Sequence, residues 1–273
     1  MQYEIIKYPV KHTLLKNYIK FFWEFRVEYM HLNHKLIPQR NINLRFNLSE
    51  TPHILSLNGN EKLLENVYFF GLQDHFTSAN LKLNGNVHTL GICFYPQGFY
   101  PFIKIPLSEF RNQLMGASEV GYKLSNSIRE RLIAASDIYS RLEILESELL
   151  NLLIYNNDFP EYFSKIFEEL KNSETSGSIS DFCKKHNVCP RKLERMYNKY
   201  IGVSANTFST LSRFHASLNS VLYTDFSKLS DLAYDNGYFD QTHFIKDFKR
   251  FAGNSPENFV QQQGSILQIG RII

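Results

Sequence analysis

The chain has few cysteines and no long apolar run. Its three cysteines, Cys93, Cys183 and Cys189, lack a paired C-x-x-C spacing, so neither a disulfide framework nor a zinc site is expected. No run of about eighteen apolar residues occurs, and the first residues lack the basic, apolar and small-residue segments of a signal peptide. We therefore expect a globular, cytoplasmic protein.

An excess of charge of one sign is also missing, and so is a recognisable catalytic set. The net charge of +3 indicates a polyanionic partner only if the positive charge is clustered. Residues 1–170 contain no combination of nucleophile, base and orienting group, and their histidines do not have the spacing of a metal-holding site. The sequence therefore predicts no catalytic residues, no metal and no cofactor.

The hydrophobic pattern changes from strand-like to helical along the first half of the chain. Between residues 36 and 96, short alternating or apolar runs separated by turn residues predict β-structure. Asn84-Gly85 lies between two such runs, and both residues tolerate positive φ, so the pair predicts a hairpin turn.

An apolar stripe at helical spacing follows the β-rich part. Its members are Ile138, Leu142, Leu145, Leu149 and Leu152. Two interpretations remain open: the stripe packs against the core of its own domain, or it forms the seam of a homodimer through residues 138–152. The polar, glycine-containing segment 171–178 comes next, and we expect a linker there.

The last third of the chain contains an internal repeat. Residues 179–208 align with residues 229–259 with one single-residue gap in a turn. Equivalent positions include Leu193 and Phe244, Lys199 and Arg250, and Gly202 and Gly253. Each copy predicts a short helix, a tight turn at Asn187 or Gly237, and a second helix ended by glycine. This is the organisation of a helix-turn-helix motif.

The second helix of each copy is amphipathic. At about 100° per residue, large apolar side chains fall on one side and basic or hydrogen-bonding side chains on the other. We interpret the aromatic rings as core residues, because a small module needs large apolar side chains to bury enough area. A basic face alone often marks only a solvated surface, so we base the prediction of DNA contact on clustering, duplication and turn geometry together.

Residues of about 178–260 resemble the tandem helix-turn-helix DNA-binding domain of AraC/XylS-type transcription regulators. The likeness is strongest in "GYFDQTHFIKDFKRFAGNSPENF", with its Gly-aromatic turn, Asp240-Gln241, Phe244, Phe248-Lys249, Gly253 and Pro256. The resemblance implies that a long helix, here Phe208 to Leu222 with Arg213 at a position usually arginine, joins the two motifs. It also implies that the second helices, about 190–200 and 241–251, enter the DNA major groove.

The helical faces and the resemblance together give the candidate DNA-binding residues. They are Arg191, Lys192, Glu194, Arg195 and Lys199 in the first copy, and Thr242, His243, Lys246, Lys249 and Arg250 in the second. Glu194 comes from the resemblance alone; it either reads a cytosine amino group or pairs with Lys192 or Arg191. Cys189 stands where the family usually has a serine N-cap, and Ala205 where it often has proline.

The sequence of the first half of the chain does not identify a ligand. Through "LGICFYPQGFYPFIKIPLSEFRNQ" it resembles an uncharacterised N-terminal domain carried by some members of the same family. The aromatic cluster Phe21, Trp23, Phe25 and Tyr29 either packs in the core or lines an apolar ligand pocket. Cys93 is either a reactive thiol, as in alkyl-transfer sensors, or a small buried hydrophobic residue.

The expected fold class is α+β. A β-rich regulatory or ligand-sensing domain with C-terminal helices occupies residues 1–170, and a linker occupies 171–178. An all-α tandem helix-turn-helix domain covers 179–262, and 263–273 form a tail. We expect a sequence-specific transcription regulator of double-stranded DNA, controlled by a small molecule or by dimerisation, and not an enzyme. The alternatives are a ligand-binding or scaffold protein whose DNA-binding module is non-functional, and an enzyme or alkyl-transfer sensor with a DNA-binding tail.

Overall fold

The chain folds into an antiparallel sheet followed by helices, which confirms the α+β class. The computed structural model describes residues 5–121, 126–154, 163, 165–168, 179–223 and 228–261. The strands are β1 (Ile5–Tyr8), β2 (Ile19–Lys35), β3 (Asn43–Asn47), β4 (Ile54–Leu57), β5 (Asn60–Leu63), β6 (Val67–Phe70), β7 (Ala79–Phe94) and β8 (Leu114–Gly116). The α-helices are α1 (Tyr100–Ile103), α2 (Asn126–Ala134), α3 (Ile138–Ile154), α4 (Ile179–Lys185), α5 (Pro190–Tyr200), α6 (Ala205–Tyr223), α7 (Leu229–Asp235), α8 (Gln241–Ala252) and α9 (Pro256–Gln261).

The long strand β7 organises the sheet. The strand order is β1-β2-β7-β3-β6-β8, and β4 pairs with both β7 and β5. Every pairing is antiparallel. β7 therefore has β2 along one edge, and β3 and β4 share the other edge.

The hairpin predicted at Asn84-Gly85 is wrong, because β7 runs straight through both residues. Asn84 pairs with His31 and Gly85 with Met30 of β2, next to a register shift between Val27 and Met30. Gly85 has a φ of 127°, and an isolated glycine inside a strand commonly marks such an irregularity. The sequence correctly indicated a positive φ at Gly85. Because this part of β7 pairs with β2, however, the chain forms a strand irregularity there and not a hairpin turn.

The two faces of the sheet bury different side chains, because successive residues of a strand point to opposite faces. One face, with Leu44, Phe46 and Ile92, belongs to a core that includes helix α3. Leu145 and Leu149 of α3 are fully buried in that core. The apolar stripe of α3 therefore packs on its own chain, which is the first of the two interpretations given above.

Hydrophobic contacts extend from the sheet to the helices that follow residue 178. The core behind the sheet also contains Leu193 and Tyr197 of α5 and Phe208 of α6. A second core contains the rest of α6 together with α7, α8 and α9. The predicted linker and tail lie outside the described residues, so the domain boundaries stay predictions. Within the described ranges, no helix has the length and apolarity needed to cross a membrane.

Candidate DNA-binding interface

Both copies of the repeat form a helix, a tight turn and a second helix. Helices α4 and α5 make the first motif, and α7 and α8 make the second. Asn187 has a φ of 51° and Gly237 a φ of 72°, so both turns use the left-handed conformation that these residue types were expected to supply. Helix α6 joins the motifs, a few residues longer at its N-terminal end than predicted.

The two second helices begin differently. In α8 the Asp240 side chain accepts a hydrogen bond of 2.7 Å from the backbone N–H of His243, as a good N-cap does. In α5 the Cys189 side chain makes no capping hydrogen bond. The backbone N–H groups of Lys192 and Arg191 nevertheless lie close enough to lower the pKa of the Cys189 thiol. The first motif therefore lacks the side-chain cap that the second has.

Helix α5 separates apolar and polar side chains as its sequence predicts. Leu193, Met196, Tyr197 and Tyr200 are buried, and the Tyr197 ring lies 5.7 Å from that of Phe163. The candidate residues all lie on the exposed side; they are Arg191, Lys192, Glu194, Arg195 and Lys199. The basic face of α5 is therefore accessible.

Helix α8 repeats this separation on the second core. Phe244, Phe248 and Phe251 are fully buried, and the Phe248 and Phe251 rings lie 5.3 and 5.2 Å from that of Phe214 in α6. The exposed candidates are Thr242, Lys246, Lys249 and Arg250, and His243 is half-buried. The aromatic rings therefore pack α8 against α6, and the basic side of α8 faces the solvent.

Glu194 has a partner that the sequence did not suggest. The side-chain amide of Asn198, one turn along α5, donates to the Glu194 carboxylate at 3.1 Å and to its carbonyl oxygen at 2.9 Å. The carboxylate is therefore oriented along its own helix.

Two aromatic residues of the second motif are not in the core: Tyr234 on α7, which is 64% exposed, and Phe239. The rings of Tyr238, Phe244, Phe248, Phe251 and Phe259 are buried, whereas the Phe239 side chain is 85% exposed. Phe239 directly precedes the cap Asp240 at the start of α8. It was missed as a candidate contact because it lies outside the helix, where the helical period says nothing about its direction.

Polar side chains of α6 and α8 lie close to the turn of the second motif. Asp247 of α8 lies 3.4 Å from Nε2 of His243, and burial raises its pKa although His243 and Arg213 act in the opposite direction. The guanidinium of Arg213 lies over the Tyr238 ring at 5.3 Å. Arg213 thus packs against the turn of the second motif, and the Asp247 carboxylate lies within ion-pair distance of His243.

The C-terminal ends of α5 and α8 both contact the N-terminal region. Lys199 lies 5.3 Å from the centre of the Tyr100 ring, and its hydrogen bond to Tyr100 raises its pKa. Arg250 donates from Nε to the carbonyl oxygen of Asp74 at 2.9 Å and accepts from the backbone N–H of Phe76 at 2.7 Å. These two cations therefore have partners within the chain.

The glycines that follow the two helices allow this close approach. Gly202 and Gly253 have φ values of 98° and 77°, which disfavour other residues. A Cβ atom would lie 2.8 Å from the carbonyl oxygen of Leu107 at Gly202, and 2.5 Å from the Phe76 ring at Gly253. The N-terminal region therefore leaves no room for a side chain at either position.

Two helix-turn-helix motifs that share a connecting helix and expose basic second helices define a DNA-binding protein. Among the residues described, no group of three or more His, Cys, Asp or Glu side chains is placed to hold a metal ion.

Comparison with protein families agrees with this class. Residues 182–262 match a helix-turn-helix domain family, and residues 12–116 match a domain of unknown function, DUF6597. The C-terminal part of the chain therefore contains a helix-turn-helix domain of the AraC type, which supports a DNA-binding transcription regulator.

The chain also matches solved structures at low sequence identity. An apo variant of ToxT from Vibrio cholerae is 12% identical with a TM-score of 0.44, over 96% of this chain and 97% of that one. ToxT bound to an unsaturated fatty acid is 11% identical with a TM-score of 0.44, over 90% and 96%. The AraC-like transcriptional activator CuxR is 9% identical with a TM-score of 0.28, over 80% and 87%. No curated protein matches the chain.

Proposed function

We propose that the protein binds double-stranded DNA sequence-specifically by inserting α5 and α8 into successive major grooves. The observation that carries this proposal is the duplicated basic face, exposed on both helices while the opposite faces are buried. Helix α6 supports it, because Phe208 packs 6.2 Å from Tyr197 and Phe214 packs 5.3 Å from Phe248. One helix held in both cores fixes the direction of both second helices.

The candidate residues then divide into two roles. Arg191 and Arg195, on the exposed side of α5, can offer the two-pronged donor that recognises guanine. Thr242 and Lys246 are exposed in the same way on α8, with His243 beside them. Lys192, at the flank of α5, and Lys249, toward the end of α8, are assigned to phosphate contacts, which position a protein without reading sequence.

The N-terminal region controls binding in this proposal through Lys199 and Arg250. Both cations lie on exposed parts of the second helices, yet Lys199 lies over the Tyr100 ring and Arg250 donates a hydrogen bond to the carbonyl oxygen of Asp74. A change in the N-terminal domain that released them would leave their charges as they are but free both side chains to reach phosphates. Because binding to DNA depends on phosphate neutralisation, this release would raise affinity.

A homodimer through residues 138–152 stays a prediction, and burial limits which residues of this helix could contact the partner. Leu145 and Leu149 are fully buried, so they are not available to a partner. A dimer through this helix would have to use its outer side, where Tyr139 is 60% exposed.

Two observations bear on the alternative functions. Burial raises the pKa of Cys93 to about 12, so the thiol stays protonated at neutral pH, which disfavours a reactive alkyl-transfer cysteine. A scaffold with a non-functional module would give no reason for exposed basic faces on both second helices. Both observations favour the regulator.

Selection of bound DNA from a random pool by the full-length protein tests the proposal. We expect enrichment of a site with two conserved segments about 10 base pairs apart. Lys62→Ala, which removes an exposed lysine of the β4–β5 hairpin, serves as the control variant and should select the same site. Recovery of no preferred sequence would contradict sequence-specific binding.

A further inference from the structure

The carboxylate of Asp247 lies beside His243, one turn earlier on α8. Oδ2 of Asp247 and Nε2 of His243 are 3.4 Å apart. Asp247 is 7% exposed, whereas the side chain of His243 is 41% exposed. One ring nitrogen of His243 therefore lies next to a buried anion, while part of the same ring is accessible from outside.

The Asp247 carboxylate favours a proton on Nε2 of His243. Among the described residues, Oδ2 of Asp247 is buried and makes no hydrogen bond. A buried carboxylate oxygen without a donor is unfavourable, and a nearby N–H lowers its free energy. Because Nε2 of His243 is 3.4 Å away, a small rotation of the imidazole ring would complete this bond. The forms of His243 that carry a proton on Nε2 are therefore preferred.

A proton fixed on Nε2 determines what the other ring nitrogen of His243 can do. In the neutral ring, Nδ1 then has a free lone pair and accepts a hydrogen bond. In the protonated ring, Nδ1 carries a proton as well and donates a hydrogen bond. Histidine side chains usually change between these two forms between about pH 5 and 8.

The charged and titratable groups around the pair belong to three elements. They are Asp240, Lys246 and Arg250 of α8, Tyr238 of the turn, and Arg213 of α6. Burial raises the pKa of Tyr238 to about 12, so its hydroxyl is neutral near pH 7. Burial also raises the pKa of Asp247, but the neighbouring cations oppose this rise and favour the ionised carboxylate. His243 is therefore the member of this cluster whose ordinary titration range lies between about pH 5 and 8.

We infer that Asp247 holds His243 as a base-reading residue whose preferred base changes when the imidazole ring is protonated. This inference rests on the proposed insertion of α8 into the major groove. The neutral ring, with Nδ1 as an acceptor, matches the N4 amino group of cytosine. The protonated ring, with Nδ1 as a donor, matches the N7 and O6 acceptors of guanine. Asp247 is a positioning residue, because its buried carboxylate acts through His243.

The negative charge of Asp247 sets the direction of the pH dependence. A carboxylate at this distance stabilises the protonated ring of His243, and the phosphates of bound DNA act in the same direction. The protonated ring is the form that matches guanine. Preference for guanine should therefore increase as the pH decreases.

The test compares cytosine and guanine at the base pair that His243 reads. This base pair is located by selection from random DNA, as the one at which His243→Ala relaxes the preference of the full-length protein. Binding titrations at about pH 7.5 and 5.5 then measure the affinity for sites with either base at this position. The guanine-to-cytosine affinity ratio of the wild-type protein should be at least about threefold higher at the lower pH.

Three variants separate positioning by Asp247 from a structural role. Asp247→Asn keeps the shape of the side chain and removes its charge, so the ratio should rise less with decreasing pH than in the wild type. His243→Gln removes the titrating ring, so its ratio should not depend on pH. His12→Gln removes an exposed histidine of the N-terminal region; it is the matched control and should behave as the wild type does.

A further variant keeps the test decisive if Asp247→Asn does not fold. Asp247→Leu then takes its place, because a buried charged group can often be exchanged for an apolar side chain of similar volume. The inference is overturned if His243→Ala relaxes no base pair, or if the wild-type ratio is the same at both pH values. It is also overturned if His243→Gln, or a folded variant of Asp247, keeps the pH dependence of the wild type.

Failure of this inference differs from failure of the proposed function. A protein that selects a DNA sequence with a ratio independent of pH would overturn the role of the His243–Asp247 pair alone. A protein that selects no DNA sequence at either pH would overturn the proposed function, and this inference with it.

Discussion

Lys199 and Arg250 hold equivalent positions in the two motifs, and the N-terminal region contacts both of them. The Lys199 ammonium lies 5.3 Å from the centre of the Tyr100 ring, and Arg250 donates to the carbonyl oxygen of Asp74. The sequence repeat supplies two matching cations for phosphate contact, and the tertiary structure gives both of them partners inside the chain. The neighbouring Lys249 is exposed and has no such contact with the N-terminal region among the described residues.

This difference predicts unequal effects of two neighbouring substitutions. Lys249→Ala should lower affinity about equally for all DNA sequences and reduce the slope of log affinity against log salt by about 0.9, the contribution of one phosphate. Arg250→Ala should change the slope less, because Arg250 is bonded to Asp74. Binding titrations at several salt concentrations measure both. Equal changes in slope would show that Arg250 is released when DNA binds.

A second prediction concerns base reading by the two helices. Arg195→Ala should cost about 1 to 3 kcal/mol in binding free energy and relax preference in one half of the site. Lys246→Ala should relax the other half, with the two sets of bases about 10 base pairs apart. Selection experiments with each variant check this. If both substitutions alter the same base pairs, only one motif reads DNA.

The helix caps give a matched pair of stability predictions. Asp240→Ala removes the hydrogen bond to His243 and should lower the free energy of unfolding by about 1 kcal/mol. Cys189→Ser introduces the missing cap at α5 and should raise it by a similar or smaller amount. Cys189→Ala is the control, since it removes the thiol without adding a cap. Urea unfolding measures all three, and a Ser variant no more stable than the Ala variant would contradict the prediction.

Acidification should destabilise the contact between α6 and the N-terminal region. Nε2 of His215 lies 2.9 Å from the carbonyl oxygen of Pro38, and burial, followed by the charge of Arg40, lowers the pKa of His215 from 6.5 to about 3. In this interval the unfolded chain binds a proton that the folded chain does not. The free energy of unfolding should therefore fall as pH decreases from about 6.5 towards 3.

The variant His215→Gln tests this pH dependence. It removes one titrating group and should make the fall in unfolding free energy shallower. His53, whose pKa is lowered to about 4, contributes in the same direction, so a slope should remain. Urea unfolding at several pH values measures the difference. A wild-type slope in the variant would show that His215 does not titrate in this way.

Phe239 is expected to contribute to DNA binding and not to stability. Its side chain is 85% exposed beside the start of α8, where an apolar group can contact a thymine methyl. Phe239→Ser should weaken DNA binding and change the free energy of unfolding by less than about 0.5 kcal/mol. Tyr234→Ser, at a side chain that is 64% exposed on α7, is the matched control. Unchanged DNA affinity in Phe239→Ser would identify the residue as merely exposed.

The local patterns were predictable from sequence, and the long-range pairings were not. The buried and exposed sides of α5 and α8 follow from helical period alone, and the turns follow from Asn187 and Gly237. The outcome at Asn84-Gly85 depended on β2, which lies more than fifty residues earlier along the chain. The partners of Lys199 and Arg250 likewise come from distant parts of the sequence, so neither position signals them locally.

Helix α6 contributes to two hydrophobic cores. This limits which segments of the chain can be separated from the rest or joined to another protein. Phe208 belongs with the sheet and the first motif, whereas Phe214 belongs with the second motif. A C-terminal fragment that begins after the predicted linker would lose the apolar cover over Tyr197 and Tyr200. A chimaera that joins these motifs to a different sensor would therefore need a replacement surface for α5. The first motif and the sheet are expected to vary together among related chains, and the second motif is expected to be the more transferable unit.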